Sequence, residues 1–150
     1  MIKNPGLNKR LIGKQAQARG EMFEVRLDAM ARMEGVQCTR VPDGCKQAYG
    51  RLMRVKSPFD FILSYGDKIA LIDCKVRAGD KINKGDVTEH QLNELLKHKN
   101  AAISGYLVYH RESDKVRFYS AHDMASKNFM GIELGTLAKF RVRTLFEAVI

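Results

Sequence analysis

Two apolar runs joined by a two-residue turn signal constrain the fold of this 150-residue chain more than any other feature. Residues 59–65 and 68–76 are rich in β-branched and aromatic side chains, and Gly66-Asp67 between them is typical of a tight hairpin turn. Neither run alternates polar and apolar residues, so we expect both strands to be covered on both faces. The sequence therefore predicts a β-hairpin in the middle of a layered domain.

The elements around this hairpin predict the rest of the fold. Phe23, Leu27, Met30 and Ala31 recur with helical spacing, so a helix is expected over residues 14–34, ending at Gly35. The other predicted elements are a strand at 36–41, a helix at 88–98, strands at 103–110 and 116–120, and a helix at 121–128 capped by Ser120. This order predicts one α/β domain over residues 14–150, with a central mixed sheet flanked by helices.

Three segments lack clear periodicity. Residues 1–13 are predicted to be a basic, flexible arm. Residues 42–56 are predicted to be a basic loop, either a flap over a substrate or a plain surface connection. The last 20 residues are compatible with either a strand or a helix.

The net charge of +9 is concentrated in the first part of the chain. Residues 1–56 carry 12 Lys and Arg against 5 Asp and Glu, a net of +7, whereas residues 57–150 have a net of only +2. Such asymmetry favours a polyanionic partner, with nucleic acid first, although a merely solvated basic surface is the alternative.

Several classes of protein are disfavoured by missing signals. No apolar run approaches the length of a membrane span, and no apolar stretch follows the basic N-terminus as in a secretory signal, so a cytoplasmic protein without a membrane partner is expected. The three cysteines form no even-numbered framework and no zinc-binding spacing. A glycine-rich phosphate loop is missing, so no nucleotide cofactor is expected.

The hairpin turn places two carboxylates side by side. With Gly66 and Asp67 as turn residues, Asp60 lies opposite Asp73, and strand periodicity puts Lys75 on the same face. Opposed carboxylates repel each other unless one is protonated or a divalent cation lies between them, and oxygen ligands favour Mg²⁺ or Mn²⁺. Two acids and a lysine around a cation suit phosphodiester hydrolysis, whereas a structural Asp73–Lys75 ion pair is the plainer interpretation.

These residues carry a resemblance to a known family. Pro58-Phe59-Asp60 followed by Asp73-Cys74-Lys75 resembles the signature of PD-(D/E)XK nucleases, and within them the chain is most similar to Holliday junction resolvases of the RecU and archaeal Hjc type. The similarity spans about residues 20–110 and implies a restriction-endonuclease-like fold. The chain departs from the pattern at Asp73, where the family usually has Glu, and residues after 120 match nothing in it.

The resemblance also implies further site residues. Glu24 matches a helix glutamate that ligates the metal in the family, with Glu21 and Asp28 as competing positions. The backbone carbonyl of Cys74 matches another metal ligand. Gln91 matches a glutamine near the lysine, although Thr88-x-x-Gln91 is also a helix capping pattern.

The sequence and the resemblance together predict a Mg²⁺-dependent endonuclease, with Mn²⁺ as a substitute, acting as a homodimer on branched or double-stranded DNA. A prokaryotic or phage-encoded protein is expected. The alternatives are a restriction, repair or end-processing nuclease of the same fold, and a non-catalytic nucleic-acid-binding module. The basic residues expected to contact DNA are Lys9, Arg10, Lys14, Arg19, Lys46, Arg51, Arg54, Lys56 and Arg77.

Overall fold

A six-stranded mixed sheet forms the centre of the molecule. The computed structural model describes residues 5–48, 50–55, 57, 59–98 and 102–148. The helices are α1 (Pro5–Met33), α2 (Glu89–Leu96), α3 (Ala121–Ala125) and α4 (Thr144–Ala148). The strands are β1 (Gln37–Arg40), β2 (Gly44–Ala48), β3 (Arg51–Val55), β4 (Phe61–Tyr65), β5 (Lys68–Arg77), β6 (Ile103–His110), β7 (Lys115–Ser120) and β8 (Ile132–Gly135).

The strand order in the main sheet is β1-β4-β5-β6-β7-β8. Strands β5 and β6 run parallel, and every other neighbouring pair is antiparallel. Strand β5 thus has an antiparallel neighbour on one side and a parallel neighbour on the other. This arrangement confirms the predicted α/β class with a central mixed sheet and flanking helices.

Each face of the sheet is covered by its own apolar core. On one face Phe23, Leu27 and Ala31 of α1 pack with Ile72, and residues of α4 join the same cluster. On the other face Leu95 of α2 and Met124 of α3 pack with Leu71, Tyr106 and Val108. The two cores explain why the middle of β5, residues 70–72, and most of β6 are apolar, because both faces of these segments are buried.

Helix α1 is longer than the sequence pattern predicted. The helix begins at Pro5, so residues 5–13 are helical although the sequence shows no periodicity there; residues 1–4 lie outside the described part. Residues 11–18 are exposed and precede the buried stretch that starts at Phe23. The helix ends at Met33, just before the predicted stop signal Gly35, whose φ of 74° allows Val36 N–H to donate to Ala31 O at 2.8 Å.

The segment 42–56 differs most from its prediction. Residues that we expected to form a loop form the β2–β3 hairpin, paired from Gly44↔Val55 to Ala48↔Arg51. Gly50, with a φ of 71°, lies at the turn of this two-stranded sheet. The base of the hairpin is closed by Asp43, whose carboxylate accepts the Ser57 N–H at 2.9 Å.

The remaining elements agree with the sequence. Strands β1, β6 and β7 and helix α2 lie within a few residues of their predicted bounds, and Thr88 and Ser120 cap α2 and α3. The ambiguous C-terminal part contains one strand, β8, and one helix, α4. Among the described helices, none has the length and apolarity that crossing a bilayer requires.

Candidate active site

The predicted acid pair forms where the β4–β5 hairpin ends. The register of the hairpin is the one expected from its turn, from Tyr65↔Lys68 to Phe61↔Ile72. Asp60 lies in a bend just before β4, and its N–H donates to Ile72 O at 2.8 Å. Its carboxylate Oδ2 accepts the Cys74 N–H at 2.9 Å. The Asp60 carboxylate is therefore held over β5 beside Asp73, although Asp60 itself lies one residue outside the ladder.

Asp73 and Lys75 are in direct contact. Lys75 Nζ lies 3.2 Å from Asp73 Oδ2, and both side chains are largely removed from water, at 16% and 5% exposure. The ammonium also lies 5.6 Å from the ring centroid of Tyr106 on the neighbouring strand β6. The contact is the structural ion pair that the plainer interpretation required, and it equally places a lysine beside a candidate metal ligand.

Burial changes the acidity of Asp73. Removal from water raises the pKa of Asp73 to about 7; the Lys75 ammonium lowers it in part, and the Asp60 carboxylate raises it. Asp73 is therefore partly protonated near neutral pH. A divalent cation would supply the positive charge that both carboxylates need in order to be ionised together.

Glu24 lines the same cleft from α1. This cleft, of about 470 Å³, is bounded by Glu24, Arg40, Val41, Pro42, Asp43, Asp60, Asp73, Cys74 and Lys75. The two competing acids lie elsewhere on the helix: Glu21 accepts a hydrogen bond from Gln17, and Asp28 forms an ion pair with Arg32. Of the three helix carboxylates, Glu24 is thus the one that faces the acid pair.

Arg40 is a site residue that the sequence reasoning missed. It is the last residue of β1, opposite Phe61, and its guanidinium forms an ion pair with the Glu24 carboxylate. The pair raises the pKa of Arg40, and the nearby Asp60 charge acts in the same direction. In the sequence, the only sign of this role was a basic residue at the end of predicted strand β1. The pairing of β1 with β4 is what brings Arg40 close to the acids.

Two further predicted site residues, Cys74 and Gln91, have side chains that pack within the fold. Cys74 has its side chain packed against the core beneath α1, while its backbone runs between Asp73 and Lys75. Gln91 is buried in the first turn of α2, and its N–H donates to Thr88 Oγ1 at 3.2 Å, as the capping pattern predicted. Within the described residues, no hydrogen bond joins the Gln91 side chain to Lys75 or to the acids.

The predicted DNA contacts fall into separate groups. Lys14 is exposed and Arg19 half-buried on α1, and Arg51 is exposed on the β2–β3 hairpin. Arg77 is engaged within the fold, since its guanidinium Nε lies 3.0 Å from the Asp86 carboxylate. Lys56 lies outside the described residues, as do the side chains of Lys9, Arg10, Lys46 and Arg54.

The donor set matches a magnesium site in part. Among the described residues, no three His, Cys, Asp or Glu side chains converge as a ready-made metal cluster. Asp60 and Asp73 nevertheless present their carboxylates to one cleft, which Cys74 and Lys75 also line. Mg²⁺ is commonly held by one or two carboxylates, with water and substrate oxygens completing the shell. These oxygen donors fit such an ion.

The fold matches that of a known nuclease structure. The chain is similar to the structure of Archaeoglobus fulgidus Hjc, a Holliday junction resolvase from an archaeal hyperthermophile, with 20% sequence identity and a TM-score of 0.51. The match covers 76% of this chain and 88% of the Hjc chain. No protein-family model and no curated protein sequence matches the chain. The comparison confirms the nuclease-like fold that the sequence resemblance implied.

Proposed function

We propose that this chain is a Mg²⁺-dependent endodeoxyribonuclease that resolves four-way DNA junctions by hydrolysing phosphodiester bonds. The observation that carries the proposal is the placement of Asp60, Asp73 and Lys75 in one cleft, within a fold similar to that of a Holliday junction resolvase. A raised pKa on a buried carboxyl in a cleft is typical of functional sites and supports the same conclusion.

Five residues that line the cleft have a direct role in the proposed reaction, namely Glu24, Asp60, Asp73, Cys74 and Lys75. Asp60 and Asp73 would hold the ion, with Glu24 and the Cys74 carbonyl as further ligands. When bound, Mg²⁺ neutralises charge on the scissile phosphate and makes the attacking water more acidic. The Lys75 ammonium orients that water and stabilises the negative charge that develops on the phosphate. Gln91 remains a proposed contact to the same water.

Arg40 supplies the second positive charge of the cleft. In the structure its guanidinium is paired with Glu24. If Glu24 turns to a metal ion, the guanidinium is released toward a phosphate, for which its planar set of N–H donors is well suited. The proposal therefore gives Arg40 a phosphate contact that alternates with its ion pair.

Binding of the DNA backbone would fall to basic residues outside the cleft. Lys14 on α1 and Arg51 on the β2–β3 hairpin are both exposed. Arg19 is half-buried and lies on α1 between the exposed residues 11–18 and the buried Phe23. A homodimer with two-fold symmetry would present two clefts to opposed strands of a junction.

A cleavage assay on three substrates tests the proposal. We would incubate the protein with a labelled four-way junction, a linear duplex and a single strand, in Mg²⁺ and in EDTA. Symmetric nicking of the junction in Mg²⁺ supports the proposal, and cleavage of the linear duplex would instead favour another nuclease of this fold. Asp60→Asn should abolish cleavage, and Asp67→Asn, an exposed acid in the hairpin turn, should not. Binding without any cleavage would leave only a DNA-binding module.

A further inference from the structure

Tyr106 combines two features that its place in the core does not explain. It lies on β6 directly beside Asp73 of the parallel strand β5, and its side chain is completely buried. Its hydroxyl has no hydrogen-bond partner among the described residues. The hydroxyl thus contributes no hydrogen bond within the described residues, and what Tyr106 offers the cleft is its ring.

The ring of Tyr106 faces the lysine of the cleft. Lys75 Nζ lies 5.6 Å from the ring centroid, a distance at which the ring face attracts an ammonium. Lysine carries its charge on a flexible four-carbon stem, so a defined position needs contacts at the charged end. Asp73 on the same strand and Tyr106 on the next strand provide two such contacts.

The two contacts differ once a metal ion is present. The oxygens of Asp73 would then be shared between the ion and Lys75, so this ion pair weakens when the proposed reaction begins. The Tyr106 ring is no ligand for Mg²⁺, so its contact with the ammonium would not be shared with the ion. The ring would therefore be the contact that keeps Lys75 in place with the ion bound.

We propose that Tyr106 is a positioning residue whose aromatic ring holds the Lys75 ammonium at the acid pair. This inference rests on the proposed nuclease function for its effect on the rate, and on the geometry alone for the contact itself. The ring carries the effect, and the hydroxyl is dispensable.

The kinetic test compares Tyr106→Phe with Tyr106→Leu. Single-turnover cleavage of the four-way junction at saturating protein in Mg²⁺ should slow by about tenfold in the leucine variant, while junction affinity measured in EDTA stays unchanged. The phenylalanine variant should keep the wild-type rate within about threefold. Tyr119→Leu is the matched control, because Tyr119 is an equally buried tyrosine of the same core cluster, paired with Tyr106 across the sheet.

Three kinetic outcomes would overturn the inference. If the Tyr119→Leu rate falls as far as that of Tyr106→Leu, the effect is general loosening of the core. If Tyr106→Phe loses as much as Tyr106→Leu, the hydroxyl and not the ring is responsible. An unchanged rate in Tyr106→Leu shows that the ring contact does not position the lysine for the reaction.

A spectroscopic test separates this inference from the proposed function. The Cε protons of Lys75, identified by their loss in Lys75→Arg, should resonate upfield of ordinary lysine in the wild type and in Tyr106→Phe, because they lie over a ring. The upfield displacement should vanish in Tyr106→Leu. If the wild type cleaves no DNA, the proposed function fails, and these resonances still decide whether the ring holds Lys75. Ordinary lysine positions in all three proteins would overturn the contact itself.

Discussion

The pKa of Asp73, raised to about 7, predicts that the metal-free protein loses stability as the pH rises from about 4 to 7. The folded state binds this proton more tightly than the unfolded chain, where the ordinary value is 3.8. The contribution is therefore complete below about pH 4 and is lost as the pH rises through about 7. At about 1.4 kcal/mol per unit of pKa, the ceiling is about 4 kcal/mol. We therefore expect a loss of about 2 to 4 kcal/mol between pH 4 and 8.

The assay is urea unfolding in EDTA at several pH values for the wild type, Asp73→Asn and Asp67→Asn. Asparagine at position 73 cannot titrate, so the free energy of unfolding of this variant should change less between pH 4 and 8 than that of the wild type, by the amount above. The other ionisable groups are common to the wild type and Asp73→Asn and cancel in the comparison. Asp67→Asn should follow the wild type, since Asp67 is exposed in the turn.

Added Mg²⁺ extends the same test. At pH 8 the ion should stabilise the wild type and leave Asp73→Asn nearly unchanged, because binding needs the ionised pair. Parallel pH profiles for the wild type and Asp73→Asn in EDTA would refute the reasoning, since they would mean that Asp73 is ionised at no cost in the folded protein.

Three further predictions concern single side chains. Lys75→Met should slow single-turnover junction cleavage by about 100-fold or more with affinity in EDTA unchanged, because it removes the charge but keeps the volume. Arg40→Ala should slow cleavage by about tenfold or more, because a positive charge at the phosphate is lost. It should also lower the Mg²⁺ concentration that gives half the maximal rate, because Glu24 is freed from its ion pair. An unchanged Mg²⁺ dependence would contradict the alternating role of Arg40. Gly105→Ala should lower the free energy of unfolding by more than about 2 kcal/mol in urea melts, since its Cβ would lie 2.3 Å from Tyr119 O.

The acid pair was predictable because a local signal determines it. A two-residue turn at Gly66-Asp67 sets the register of the whole β4–β5 hairpin, and that register places Asp60 beside Asp73 without any knowledge of the rest of the chain. Lys75 follows from strand periodicity alone. The positions of Asp60, Asp73 and Lys75 could therefore be predicted from short-range sequence patterns alone.

Arg40 was not predictable in the same way. Its position depends on β1 pairing with β4, a contact between strands separated by the entire β2–β3 hairpin. A sequence shows that a strand is present but not which edge of a sheet it joins. Once that pairing is known, a basic residue at the end of β1 is expected near Asp60, which immediately precedes β4.

Two secondary-structure errors have local causes. The β2–β3 hairpin is dense in Lys, Arg and Gly, a composition typical of loops, so its strands were hidden by their polarity. The early start of α1 was signalled by Pro5, which suits the first turn of a helix. Gly13 and Gly20 lower helix propensity and obscured that signal.

The exposed stretch of α1, residues 11–18, separates two kinds of sequence change. Substitutions at Phe23, Leu27 or Ala31 remove buried contacts and affect the whole domain. Substitutions in the exposed turns ahead of them remove no core contact, so drift there is nearly free of stability cost apart from helix propensity. The charge of these exposed turns can therefore change between related sequences while the acid pair at the sheet stays the same.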